Sequence, residues 1–305
     1  MFHNLITILG PTATGKTRLA AKLANKFNGE IISADSRQVY IGMDIGTGKD
    51  FDDYKIGSKQ IPFHLIDVID SKEEFDLFKF QNLFYKFFDD ILQRMKTPFL
   101  VGGTGMYLSS ILQNYKLNKA EFSEERTNKL RELSLTDLQN KLKILSPSLH
   151  NTTDSLEKER VIRALIIAEN SSKKERTVIS VQPLVIGISL PRDVIKKRIT
   201  KRLKQRLDNG MIEEVKSLFQ SGVTYEKLYF FGLEYKYIGM YLKRELTYND
   251  MFQKLNSAIH SFAKRQMTWF RKMEKEGVMI HWIDGPDYES ASELIKKIFP
   301  YESSE

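Results

Sequence analysis

Gly10-Pro11-Thr12-Ala13-Thr14-Gly15-Lys16-Thr17 fits G-x-x-x-x-G-K-[ST], the pattern of a loop that wraps phosphate groups. Its glycines let backbone N–H groups approach phosphate oxygens, a following helix adds positive potential at its N-terminus, and Lys16 adds a point charge. Thr17 offers a hydroxyl to Mg2+. The loop alone leaves open which phosphate compound it holds. A nucleotide triphosphatase usually keeps an acidic residue at the end of a second strand for the metal. Here the candidate strand PFLV from Pro98 ends in Gly102-Gly103-Thr104-Gly105, without a carboxylate, so simple ATPase chemistry is disfavoured.

Asp35 follows a second apolar run and falls where open parallel sheets bind ligands. A carboxylate there can accept a proton from a nucleophile aimed at the loop-bound compound; capping the strand-to-loop turn is its other reading. Ser36-Arg37-Gln38-Val39-Tyr40, then Gly42 to Lys49, is rich in donors, acceptors and glycines and suits the reading of a planar base. Between Arg192 and Arg206 lie eight basic residues and one acid. Helical phase puts Ile195, Ile199, Leu203 and Leu207 on one face and Arg198, Arg202 and Arg206 on a neighbouring one. Those arginines can close over a diphosphate; a solvated basic face is the alternative. Phe262 to Lys272 interleaves bases with aromatics, which suits RNA backbone and base stacking, or a helix whose aromatics are core.

These residues need a scaffold, and the hydrophobic pattern supplies one. Leu5 to Leu9 reads as a buried parallel strand, and Lys16 to Phe27 as a helix with Leu19, Leu23 and Phe27 at four-residue spacing. Glu30 to Ala34 repeats the strand, Phe75 to Ile91 is helical, and further strands are expected from Pro98, Pro183 and Val278. Such alternation predicts an α/β fold, a parallel sheet with helices on both faces. Residues 113–182 break the pattern and are expected to form a helical insert between core segments 1–112 and 183–305. Helix starts are predicted at Ser134-x-x-Asp137 and Asp154-x-x-Glu157, and a loop at Asn170 to Glu175.

The composition agrees with a globular chain: 41% hydrophobic, 28% charged and 11% aromatic residues over 305 positions. No apolar run reaches the ~18 residues that a membrane span requires, and the N-terminus lacks a signal-peptide pattern, so a cytoplasmic address is expected. With no cysteine there are no disulfides, thiolate metal sites or thiol catalysis, and five scattered histidines disfavour zinc. A net charge of +8 favours a polyanionic partner.

Taken in order, GPTATGKT, SADSRQVYIGMDIGTGK, IPFHLIDVID, VGGTGMYL, RVIRAL, the R-I-x-x-x-R helix and FAKRQMTWFR resemble the tRNA dimethylallyltransferase family, from the phosphate loop to about Arg271. The resemblance implies a P-loop NTPase-like core with a helical insert. The loop would bind dimethylallyl diphosphate instead of ATP, with Mg2+, and tRNA would thread between the two parts by its anticodon stem-loop. It further implies that Asp35 is the general base, with Lys16 and Thr12 as the other catalytic groups. Gly10 to Thr17, Arg198 and Arg202 would attend the diphosphate, with Thr17 on the metal. Asp35, Ser36, Arg37 and Gln38 would meet the target adenosine, and Thr104, Arg160, Arg163, Lys264, Arg265, Gln266 and Arg271 would contact tRNA. A monomer is expected. Two departures concern the register of tRNA contacts: Gly232-Leu233-Glu234-Tyr235 stands where the family usually has G-Y, and Asn151 to Arg160 replaces N-D-x-x-R.

Three other assignments fit parts of the sequence. A small-molecule P-loop kinase would use Asp35 to activate a hydroxyl and Arg198 and Arg202 as a lid. A prenyltransferase of free adenine nucleotides would need neither insert nor RNA surface. A nucleotide-gated RNA-binding module would not need Asp35.

Overall fold

The computed structural model describes residues 3–117, 123–145, 157–169 and 180–299. The chain divides into two compact units, Met1–Asn114 with Ile179–Glu305, and Tyr115–Val178.

In the larger unit, β1 (Leu5–Leu9), β2 (Gly29–Ala34), β5 (Phe63–His64), β6 (Thr97–Gly102), β7 (Pro183–Ser189) and β8 (Ile280–Asp284) form one sheet in the order β5-β2-β6-β1-β7-β8. Every pairing in it is parallel. A separate small antiparallel pair joins β3 (Lys55–Ile56) to β4 (Lys59–Gln60). The short edge strand β5, inside IPFHLIDVID, was not expected from the sequence. Only Phe63 and His64 pair with β2, which is too short a run to carry a periodic signal.

Alternation along the strands builds two cores. Leu5 and Leu9 of β1 join Ile32, Leu100 and Val185 on one face, and Ile6 and Ile8 join Ile31, Phe99 and Ile186 on the other. The second face is covered by α1 (Lys16–Lys26) and α12 (Tyr288–Ile298), which contribute Leu19, Leu23, Ala291 and Ile295. Against the first face lie α2 (Leu77–Gln93) and α3 (Gly105–Leu112). Phe80, Phe84 and Phe88 recur at four-residue spacing, all fully buried, and Phe80 stacks on Tyr107 with centroids 3.9 Å apart. α2 starts two residues later than Phe75 because Asp76 is its N-cap, accepting from Lys79 N at 2.7 Å.

The same core takes in α7 (Arg192–Asp208), α8 (Met211–Gln220), α9 (Tyr225–Phe231), α10 (Leu233–Leu242) and α11 (Tyr248–Lys275). On α7, Ile199, Leu203 and Leu207 are the buried residues, as the helical phase predicts, which turns the arginine face away from that core.

The smaller unit holds α4 (Glu124–Arg131), α5 (Leu135–Leu145) and α6 (Lys158–Glu169) around Leu130, Leu138, Leu142, Val161, Ile162, Leu165 and Ile166. At the start of α5, Ser134 Oγ accepts from Asp137 N at 3.1 Å and donates to Asp137 Oδ2 at 2.6 Å, the capping pair that the spacing predicts. Asp154 of the second predicted helix start and the Asn170 to Glu175 loop lie outside the described residues. Among the described residues no helix is long and apolar enough to cross a membrane.

Candidate active site

Four connections leave the carboxyl edge of the sheet side by side: the phosphate loop after β1, Asp35 after β2, the GGTG turn after β6 and Leu190 after β7. Ligands of open parallel sheets bind at this edge. The loop turns back on itself at Ala13, whose φ is 65°, and Thr14 Oγ1 ties it by donating to Pro11 O at 2.9 Å. α1 then begins with no side-chain cap and no acid in its first turn. Its first N–H groups are thus left to an anion, which the positive end of the helix dipole also favours. Lys16 lies against the loop, with Nζ 3.4 Å from Pro11 O. Burial pulls its pKa down from 10.5 to about 8, partly opposed by the negative charge of Asp35 and reinforced by Arg202. Lys16 and Arg202, from two separate segments, line one cleft.

Asp35 has two functions available to its two oxygens. Oδ1 accepts from Arg37 N at 2.9 Å and Gln38 N at 3.4 Å, closing the turn after β2. Among the described residues Oδ2 has no hydrogen-bond partner and is available to a ligand. The carboxylate is therefore both the turn cap and a held base. Ser36 N donates to Thr104 Oγ1 at 3.1 Å, joining this turn to the GGTG turn.

Gln266 is in a different place from that expected of a tRNA contact. It is 7% exposed, accepts from Thr12 N at 2.9 Å and donates to Gly103 O at 2.8 Å. One amide thus pins the phosphate loop to the neighbouring turn. The glycines of that turn are explained by the close approach of α11: a Cβ at Gly103 would lie 2.3 Å from Gln266 Nε2, and one at Gly105 2.4 Å from the Trp269 ring. Replacing Gln266 by leucine would leave two backbone groups unpaired, so a loss of about 1–3 kcal/mol is expected. Thermal unfolding should show it, together with weaker binding at the phosphate loop; an unchanged melting temperature would remove Gln266 from this role.

Arg37 and Gln38 are also engaged internally. Arg37 Nη2 donates to Phe230 O at 3.0 Å, and its guanidinium lies 5.3 Å and 5.8 Å from the centroids of Phe230 and Phe231. Burial lowers its pKa. Gln38 Nε2 donates to Gly48 O at 3.0 Å and its Oε1 accepts from Ser33 Oγ at 3.2 Å, which leaves one N–H and one lone pair for a base.

Residues 44–49 are held by partners that the sequence reading did not identify. Glu214 of α8 accepts from Asp44 N, Ile45 N and Gly46 N at 2.8, 2.6 and 3.0 Å and from Tyr235 Oη at 2.9 Å. Lys49, fully buried at its side chain, donates to Tyr40 O at 2.7 Å and Asp44 Oδ1 at 2.8 Å and pairs with Asp67. This loop borders the cleft at Asp50, which pairs with Arg202 at 2.8 Å.

The cleft has a volume of about 750 Å³ and brings Lys16, Thr17, Arg198 and Arg202 together with Arg206, Asp50 and Asp53. Arg198 is exposed and Arg202 half-buried. Burial and the neighbouring Asp50 raise the pKa of Asp53, partly offset by Arg18 and Arg202. A divalent cation here would meet the Thr17 hydroxyl. Among the described residues no group of three or more His, Cys, Asp or Glu side chains is arranged to hold a metal. The Thr17 hydroxyl is an oxygen donor of the kind that hard divalent cations take.

Lys264, Arg265 and Arg271 lie exposed along α11, and Lys264 and Arg271 line a second cavity of about 620 Å³ with Arg192 and Lys196. Arg160 and Arg163 are exposed on α6 in the smaller unit, with Arg160 paired to Glu157 at 3.0 Å.

Comparison with known proteins bears on this geometry. The IPP transferase family matches residues 38–273 and the isopentenyl transferase family residues 3–63. The chain is 49% identical to tRNA dimethylallyltransferase 1 of Syntrophus aciditrophicus over 97% of its own length and 98% of that protein. It is 52% identical to tRNA dimethylallyltransferase 2 of Citrifermentans bemidjiense, over 92% and 91% respectively. The solved structure of the full-length tRNA isopentenylpyrophosphate transferase of Bacillus halodurans is similar with a TM-score of 0.69, 32% identity and coverage of 97% of this chain and 95% of that one. With a phosphate loop and a facing carboxylate on a shared parallel sheet, and with matches of this extent, the chain belongs to the IPP transferase family.

Proposed function

We propose that the protein moves the dimethylallyl group from dimethylallyl diphosphate to the exocyclic N6 amine of the adenosine 3′ to the anticodon of tRNA, releasing diphosphate. The observation that carries this reading is geometric: Gln266 ties the phosphate loop to the GGTG turn, and Thr104 of that turn ties in the turn bearing Asp35, so a phosphate loop and a carboxylate with one unengaged oxygen share the carboxyl edge of the sheet. The relatives' names support tRNA as the acceptor.

The reaction breaks the bond between the primary allylic carbon and the diphosphate oxygen. Positive charge developing on that carbon is spread over the allyl system, so the main demand is to stabilise the departing anion. Backbone N–H groups of residues 13–17, Lys16, Arg198 and Arg202 supply that stabilisation, with the loop fixed by the bond from Thr12 N to Gln266. Mg2+ would be held by the Thr17 hydroxyl and would supply charge neutralisation to the departing diphosphate. The amine of adenine is a weak nucleophile because its lone pair is delocalised into the ring, and Asp35 Oδ2 removes its proton as the new C–N bond forms. Ser36, Arg37, Gln38 and Thr104 orient the adenosine, which must leave its stack to arrive. Lys264, Arg265, Arg271, Arg160 and Arg163 hold the RNA backbone, and Tyr115–Val178 serves as the RNA-contacting unit. The protein acts as a monomer in the cytoplasm.

Nuclease digestion and mass spectrometry of a stem-loop treated with enzyme, donor and Mg2+ should find the added group on N6 of that single adenosine. A group attached to another position, or only to free nucleotides, would refute the assignment.

A further inference from the structure

We infer that Arg206 is a third diphosphate-binding arginine, held in position by Glu234 and filling a slot that Gly48 leaves open. The inference rests on the donor assignment above and extends it to a residue one turn beyond Arg202.

Arg206 is an unusual arginine. Its side chain is 14% exposed, yet its only polar contacts among the described residues are a 3.3 Å hydrogen bond from Nη1 to Gly46 O and a 3.9 Å approach of Nη1 to Glu234 Oε1. Nε and Nη2 are buried with no hydrogen-bond partner. Buried guanidinium N–H groups without partners are costly, so a site that leaves two of them open needs a ligand to supply acceptors.

The position of those atoms indicates the ligand. A Cβ on Gly48 would lie 1.5 Å from Arg206 Nη2 and 2.3 Å from Arg202 Nη2, so the two guanidinium tips converge on the same glycine. Two like charges there repel unless an anion joins them. Asp50 pairs with Arg202 at 2.8 Å and Glu234 stays 3.9 Å from Arg206, so among the described residues no carboxylate bonds Nε or Nη2 of Arg206. Both arginines line the cleft that contains Lys16 and Thr17, which makes a phosphate group the fitting anion. The electrostatics agree: burial, then Arg202, draw the pKa of Arg206 down to about 10, while Glu234 and Asp50 oppose this.

Glu234 has its own part. Burial raises its pKa, with Arg206 working against that shift. At 3.9 Å it is near enough to keep Arg206 charged and turned into the cleft, and too far to occupy the fork of the guanidinium. It is a positioning residue, and the Gly232-Leu233-Glu234-Tyr235 departure noted in the sequence is what supplies it.

Calorimetric titration with inorganic diphosphate and Mg2+, on the full chain, tests the inference. Arg206→Met is expected to weaken binding by about 10- to 100-fold, the range for loss of charged hydrogen bonds. Arg206→Lys should restore part of it, and affinity for the stem-loop RNA should stay within about 2-fold of wild type. If Arg206→Met does not fold, 15N NMR of the wild-type arginine Nε–H groups reads the same contact. The Arg206 signal, identified by its loss in Arg206→Lys, should shift on addition of diphosphate. Wild-type binding that Arg206→Met leaves within 2-fold, or an Arg206 signal that does not move, overturns the inference alone. Failure of the wild type itself to bind diphosphate would instead overturn the donor assignment.

Discussion

Asp35→Asn is expected to slow prenyl transfer by at least about 100-fold while leaving the protein as stable as wild type. The reason lies in the division of labour between the carboxylate oxygens. Oδ1 accepts from Arg37 N and Gln38 N, and an asparagine carbonyl can take over both bonds. Oδ2 is the base, and an amide cannot replace it. Asp35→Ala removes both functions, so it should lose the same activity and in addition about 1 kcal/mol of stability from the uncapped turn. Single-turnover rates and thermal unfolding of the two variants separate the roles. An Asp35→Asn enzyme with near wild-type rate would show that the carboxylate only caps the turn, as the alternative reading of the sequence had it.

Lys16→Met should have opposite effects on stability and activity. In the ligand-free protein Lys16 titrates near 8, below its ordinary 10.5, because burial disfavours the charged form. Between those values the unfolded chain holds more protons than the folded one, so stability rises with pH from about 8 to about 10.5. Below pH 8 the cost of the buried charge is fully present and corresponds to about 3 kcal/mol. Methionine removes that cost, so the ligand-free variant is expected to melt about 2–5 °C higher than wild type at pH 7, with the gain shrinking toward pH 10.5. Transfer should fall by about 100- to 1000-fold, since a cation aimed at the departing diphosphate is gone. In the wild type, donor affinity should decline above pH 8 as Lys16 loses its proton. A variant that melts no higher than wild type at pH 7 would contradict the account of Lys16 as a buried charge kept for its ligand.

The parts of the site that the sequence made legible are those with a local signature. The phosphate loop, the strand before it, the helix after it and Asp35 at the next strand end all lie within Leu5 to Asp35, and the α/β alternation that sets the sheet is a local periodicity repeated. What holds the site together is not local. Glu214 reaches Asp44 across 170 positions and Arg202 reaches Asp50 across 152, and no spacing rule spans such distances. Gln266 is an intermediate case. The bases and aromatics around it suggested an RNA surface, but the buried positions of α11 run Met251, Leu255, Ile259, Ala263, Gln266, Phe270 and Met273. Carrying the apolar series three places beyond Ala263 lands on Gln266, so helical phase places it inside. Its two partners, Thr12 N and Gly103 O, required the fold. The arginines of α7 show the same division: phase put Arg198, Arg202 and Arg206 on one face, and only Gly48 and Glu234, from two other segments, single out Arg206.

Transfer of label is the most direct test of the central claim, that the phosphate loop presents an allylic diphosphate to an RNA amine facing Asp35. The protein would be incubated with Mg2+, dimethylallyl diphosphate labelled in its allyl carbons and an unmodified anticodon stem-loop, beside a parallel reaction with ATP labelled in its terminal phosphate. The account predicts that carbon label enters the RNA in the first reaction and that no phosphate is transferred or released in the second. Phosphate leaving ATP, with no carbon label in the RNA, would contradict it.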